Sequence, residues 1–186
     1  SLPLAATVNG DVFCVHGGLS PHLSTLKDIE EIDRYQEVPT SGLFTDLLWS
    51  DPISDIPLIP KNLNIQELQQ NQTEQQKQAT KAAQKRIEEE RNKPMKQGFS
   101  QSPRGAGILW NAEVTNTFCE LNNFKFIIRG HQLVEEGYAW QHNDKVLTLF
   151  SIANYCNKCG NKAAFVKLNT LSEPSIVQSN LFRKLK

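Results

Sequence analysis

The sequence predicts a mixed α/β (α+β) fold, on three observations. Short runs of apolar and β-branched residues recur as candidate buried strands, the clearest being Val12-Phe13-Cys14-Val15, Phe124 to Ile128, Val146 to Ser151 and Ala163 to Leu168. Between them lie segments whose apolar residues fall at helical spacing, Leu23 to Tyr35 and Ala112 to Asn122. Three of the apolar strands also end in polar tips, two of them flanked by glycine: His16, His131 and Asn154-Tyr155. Open sheets with helices on their faces place ligands at such strand ends.

The 186 residues suit one domain, or a domain with an insertion, and 39% of them are hydrophobic, enough for a core. Lys plus Arg equals Asp plus Glu at 20 each, so the basic excess of a nucleic-acid footprint is missing. No apolar run approaches a membrane span, and no basic-then-apolar leader is seen. A chain beginning at Ser1 reads as a fragment or a processed product whose true N-terminus lies upstream. Four cysteines are too few for a disulfide scaffold at this length, so a cytoplasmic or nuclear setting is expected. Cys156 and Cys159 form a single C-x-x-C. Two free thiols on a loop explain it more simply than structural zinc, which wants further ligands, or a redox pair, which wants a following helix.

In chain order, Leu4 to Val8 reads as a strand, turned by Asn9-Gly10 into the Val12 strand. Leu26, Ile29 and Ile32 give Leu23 to Tyr35 one apolar face, and Pro39 is the expected stop. Leu47 to Pro52 reads as a short buried segment closing in a turn. Its Ser50-Asp51 could be a functional corner, but composition favours an ordinary Asx-type turn before proline. Residues 53–97 change character. They are proline-punctuated at first and then rich in Gln, Lys and Glu, a helical or disordered insertion rather than core. Ser102 to Gly107 is a glycine-rich bend carrying Arg104 and lacks the spacing of a P-loop. Ala112 to Asn122 follows as a helix with Val114, Phe118, Cys119 and Leu121 inward. Gly137 to Trp140, with Asn143-Asp144 as a turn, reads as a hairpin arm. Residues 171–186 supply a last strand and a basic tail, so the core divides into 1–52 and 98–170 around the insertion.

If the strands are neighbours and run the same way, their tips converge. Two neutral imidazoles, His16 and His131, then make a metal site plausible, and Arg104 in its bend suits a phosphate, whose oxygens a guanidinium grips as a fork.

The motifs His16-Gly17-Gly18-Leu19-Ser20-Pro21, Asp46 to Pro52, Arg104-Gly105-Ala106-Gly107, Arg129 to Val134 and Asn154-Tyr155-Cys156 come in the order of the phosphoprotein phosphatase family of serine/threonine phosphatases, which the chain resembles. Glu37-Val38-Pro39, Ser102 to Gly107 and Tyr155 to Asn161 look most like the type 2A branch with its types 4 and 6. The resemblance implies a calcineurin-like metallophosphoesterase β-sandwich flanked by helices, of which this chain is the C-terminal half. It implies two divalent metal ions, manganese, iron or zinc, that activate water to attack phosphorus in line. His16 and His131 match ligands of one of those metals, Arg104 an arginine that grips the substrate phosphate, and Tyr155 the tyrosine of a loop beside the metals. The family's Gly-Asp-x-His-Gly, Gly-Asp-x-x-Asp-Arg-Gly and Gly-Asn-His-Glu motifs are not in this sequence. Two histidines do not hold a dinuclear site, so the chain by itself is expected to be inactive. Gly130, Ala153 and Trp110-Asn111 depart from the usual Ala, Pro and Phe-Gly.

The function implied is dephosphorylation of phosphoserine and phosphothreonine in proteins, with phosphoprotein substrates and regulatory or scaffold subunits as partners, and neither nucleic acid nor membrane. The alternative is a catalytically dead phosphatase-like module whose insertion binds partners.

Overall fold

A computed structural model describes residues 2–53 and 98–179. Apart from Ile53, the insertion reading for 53–97 lies outside the described residues, as does the end of the tail.

Strands β1 (Ala5–Val8) and β2 (Val12–Val15) form the expected hairpin. Asn9 and Gly10 both take positive φ, 53° and 78°, and Asp11 N–H closes the turn on Val8 C=O at 3.2 Å. Helix α1 covers only Leu26–Glu30, shorter than Leu23 to Tyr35. Asp28 accepts from the Ser24 and Thr25 N–H groups at 2.7 Å and fixes the start. Beyond it, Asp33 accepts from Tyr35 N–H at 2.9 Å, and Gln36 donates to the Asp33 carbonyl. These local bonds compete with helix propagation well before Pro39, which is therefore not the stop. The apolar face was still correctly identified, since Leu26, Ile29 and Ile32 pack on the core.

Helix α2 (Leu43–Trp49) and the two-residue strand β3 (Asp51–Pro52) occupy the stretch expected to be a buried turn. Trp49 is 41% exposed at the helix end, while Ser50 and Asp51 are buried. Strands β4 (Phe99–Gln101) and β5 (Ile108–Trp110) flank the arginine bend, and with β3 they form a three-stranded sheet ordered β3-β5-β4. Helix α3 spans Ala112–Asn122, as predicted. Asn111 caps Val114 N–H at 3.0 Å, and Asn123 ends the helix in the left-handed conformation at φ 59°. Leu121 points outward at 58% exposure, contrary to expectation, and Thr115 takes an inward place with Phe118 and Cys119.

Strands β6 (Phe126–Arg129), β7 (Tyr138–Gln141) and β8 (Val146–Leu149) complete a five-stranded mixed sheet ordered β1-β2-β6-β8-β7. β6 begins two residues later than predicted and reaches Arg129, and β8 ends two residues earlier. The β7–β8 turn runs through His142, Asn143 and Asp144, all at positive φ. After a 3₁₀ turn at Tyr155–Asn157, β9 (Ala163–Leu168) and β10 (Pro174–Ser179) pair as an antiparallel ribbon.

The core lies between the five-stranded sheet and α3. Phe13 stacks against Phe118 and Phe124 at centroid distances of 5.1 and 5.5 Å, and Val12, Ile127, Val146 and Leu147 are fully buried. Trp110, fully buried, lies flat against Gly18, where an added Cβ would meet its ring at 2.0 Å. Gly18→Ala is therefore expected to cost about 3 kcal/mol by overpacking. The check is a lowered urea midpoint, and an unchanged midpoint would show that the indole yields.

The strand directions matter most for function. β2, β6 and β8 lie side by side and parallel, with Val15 opposite Arg129 and Arg129 opposite Thr148. Their C-terminal ends therefore share one edge of the sheet.

Candidate active site

Because Val15 and Arg129 are in register, the next turns of chain deliver His16 and His131 to the same place. Gly130 N–H donates to the His16 carbonyl at 3.1 Å and ties the two tips together. His131 takes φ 65°, and Gln132 N–H closes on Gly130 C=O at 2.7 Å around it. A non-glycine residue at the centre of such a three-residue turn is strained, and strain of this kind is kept at functional sites. The result is a pair of imidazoles with His131 Nδ1 3.3 Å from His16 Nε2 and the rings edge to face. Two nitrogens bound to one tetrahedral ion at about 2.1 Å each would lie about 3.4 Å apart. Trp49 closes one side, edge-on to His131 at 5.4 Å.

Burial pushes the His131 imidazole down to about 4, and the Arg104, Arg129 and His16 charges add to this, with Asp51 opposing them. His16 is lowered too, by burial first and Arg129 second. Both rings are thus neutral at neutral pH, the form that ligates metal. His131 Nε2 is buried with no partner among the described residues. The feature that fits a metal site is instead the neutral pair itself, with His131 Nδ1 and His16 Nε2 at ligand spacing; the orphaned Nε2 is the other nitrogen of the His131 ring. No cluster of three or more His, Cys, Asp or Glu side chains that could hold a metal is found among the described residues, so the pair by itself does not make a complete metal site.

The lowered values have a consequence for stability. Unfolded histidine takes up its proton near 6.5. The folded state resists this until lower pH, so these groups contribute stability above about 6.5 that is lost as pH falls toward 4. His142, also lowered by burial, adds to the same trend. Thermal melts between pH 7.5 and 5 should show a falling midpoint, and a flat profile would contradict neutral buried imidazoles.

Beside the histidines lies a chain of charges. Asp51, at the start of β3, has both carboxylate oxygens engaged: Oδ1 accepts from Arg129 at 2.8 Å and Oδ2 from Arg104 Nε at 2.6 Å. Arg104 is one third exposed, and its terminal nitrogens make no hydrogen bond to the described residues. The carboxylate therefore holds the guanidinium by one edge and leaves the fork for an anion. The bend that brings Arg104 here is pressed on the end of α2: Gly107 sits so close to Trp49 that a Cβ would lie 2.5 Å from its backbone, and Ile108 N–H donates to Ser50 Oγ at 3.1 Å. Ser50-Asp51 is therefore not the ordinary turn that composition favours: Asp51 turns both oxygens to arginines rather than to its own backbone.

Tyr155 follows β8 at the same sheet edge, 42% exposed, with its ring edge-on to Phe150 and its N–H donating to Asn161 Oδ1 at 2.9 Å. No contact joins it to the histidines or to Arg104 among the described residues. Asn154, Cys156 and Asn157 on its loop all take positive φ. Cys156 and Cys159 are free thiols there, as are Cys14 and Cys119. Burial raises Cys119 to about 11 and makes it inert.

The mixed sheet thus gathers two neutral imidazoles and a carboxylate-held arginine at its parallel strand ends. A family model described as calcineurin-like phosphoesterase matches residues 1–135, and the chain belongs to that family. Its α/β architecture is that of the calcineurin-like metallophosphoesterases, whose members in general use divalent metals. Among solved structures it is similar to a protein serine/threonine phosphatase from Saccharomyces cerevisiae that is itself described as similar to human phosphatase PP5. The identity is 25% and the TM-score 0.66, over 95% of this chain and 46% of that one. The chain thus spans about half the length of the structure it matches.

Proposed function

We propose that this chain forms the C-terminal half of the catalytic domain of a protein serine/threonine phosphatase, of the type 2A-like branch, acting on phosphoserine and phosphothreonine in proteins. The observation that carries the reading is the 3.3 Å His16–His131 nitrogen pair set beside an arginine held by a buried carboxylate. His16 Nε2 and His131 Nδ1 would hold one divalent ion, and a second ion and the remaining ligands would come from outside this sequence. Bound ions of this kind supply Lewis acidity that activates water and offsets phosphate charge. Arg104 would take two phosphate oxygens with its free fork, orienting phosphorus for in-line attack. Tyr155, on its strained loop, would flank the substrate. The chain alone is expected to release no phosphate, and the activity belongs to the longer protein, with phosphoprotein substrates and regulatory subunits in the cytoplasm or nucleus.

Arg104→Ala tests the phosphate role. In the active protein that contains this chain, kcat/KM on a phosphopeptide should fall on the order of 10²–10³-fold. Arg104→Lys should recover only part, because an ammonium offers no fork. Activity within a few-fold of wild type in the alanine variant would remove Arg104 from the site.

A further inference from the structure

Arg129 has no part in the roles assigned above, yet it is the most deeply buried charge among the described residues. Its side chain is fully buried, and burial lowers it to about 10, so it stays charged at neutral pH. The guanidinium spreads over four acceptors. Nε donates to the Gly17 carbonyl at 2.7 Å, the residue after His16. One terminal nitrogen donates to Gln132 Oε1, and the other to the Ser50 carbonyl at 3.1 Å and to Asp51 Oδ1 at 2.8 Å. Its own backbone lies two residues before His131. One rigid fork therefore meets the turn after His16, the turn after His131, the end of α2 and the carboxylate that holds Arg104. A buried ion pair is weak as a source of stability. What five donors in one plane supply is fixed geometry between separate segments.

We propose that Arg129, acting through Asp51, is a positioning residue that locks the His16–His131 pair and the phosphate-binding Arg104 into one unit. The inference rests on the function proposed above. Removing the fork loosens the Gly17 and Gln132 turns and misplaces the imidazoles. Neutralising Asp51 loosens Arg104 and leaves the imidazoles nearly in place.

Calorimetric titration of the metal-stripped protein that contains this chain with zinc, and of its zinc-loaded form with inorganic phosphate, tests this. Arg129→Lys keeps the charge and loses the fork. It should bind zinc 10–100-fold more weakly, as loss of a partner behind metal ligands does, while near-UV circular dichroism still reports a folded protein. Asp51→Asn, which keeps the shape but replaces one of the two acceptor oxygens with a donor, should bind zinc within a few-fold of wild type and phosphate at least about tenfold more weakly. A merely structural Arg129 would lower the melting temperature and leave zinc affinity in the folded variant unchanged, and that result overturns the inference while the proposed function stands. Should Arg129→Lys fail to fold, Asp51→Asn decides, and unchanged phosphate binding there overturns it. A wild-type protein that binds no zinc, or binds it equally well as His16→Ala, removes the metal reading and this inference with it.

Discussion

On the proposed function, alanine at both His16 and His131 is expected to abolish phosphate release by the active protein that contains this chain. Each substitution alone lowers kcat/KM by more than about 100-fold, since loss even of a partner behind a metal ligand costs 10–100-fold in affinity or activity. The two side chains reach one point because β2 and β6 are parallel and in register, and the 3.3 Å nitrogen separation suits a shared ion. Neither imidazole belongs to the hydrophobic core cluster: the ring contacts are His16 with His131 and His131 with Trp49. The folded variants should therefore melt near the wild-type temperature, which separates loss of chemistry from loss of structure. Full activity in the double variant, measured with a phosphopeptide and added manganese, would exclude both as ligands.

Asp51→Ala has the largest expected effect on the fold. It strands the Arg129 charge in a buried position with carbonyl partners only, and breaking one side of a buried pair costs about 3–5 kcal/mol. It also frees Arg104 from its 2.6 Å hold. Adding Arg129→Met to Asp51→Ala should restore part of the lost stability, because an apolar replacement of both partners leaves no unpaired charge. Denaturant midpoints of the two single variants and the double variant give the coupling. Simple additivity would mean that the two side chains do not act on each other.

The difference between what the sequence reveals and what it hides follows from range. The strand runs around Val12 and Val146 and the Ala112–Asn122 helix were legible because each is a local pattern with its own caps. Leu23 to Tyr35 misled because Asp33 offers the backbone an alternative that spacing does not register. Leu121 shows that helical spacing gives a face but not which residues at its margin are covered. His16, His131 and Arg104 stood out by residue type and glycine context. Asp51 was visible only as one of two options, and Arg129 only as the start of a motif. Their meaning lies in bonds across 53 and 78 residues, and no local pattern encodes those.

The most direct test is to locate the ion. Co-crystallising the protein that contains this chain with zinc and collecting anomalous diffraction at the zinc edge should place a peak within bonding distance, about 2.0–2.1 Å, of His16 Nε2 and His131 Nδ1. A peak at Cys156 and Cys159 instead, with none at the histidine pair, would contradict the account.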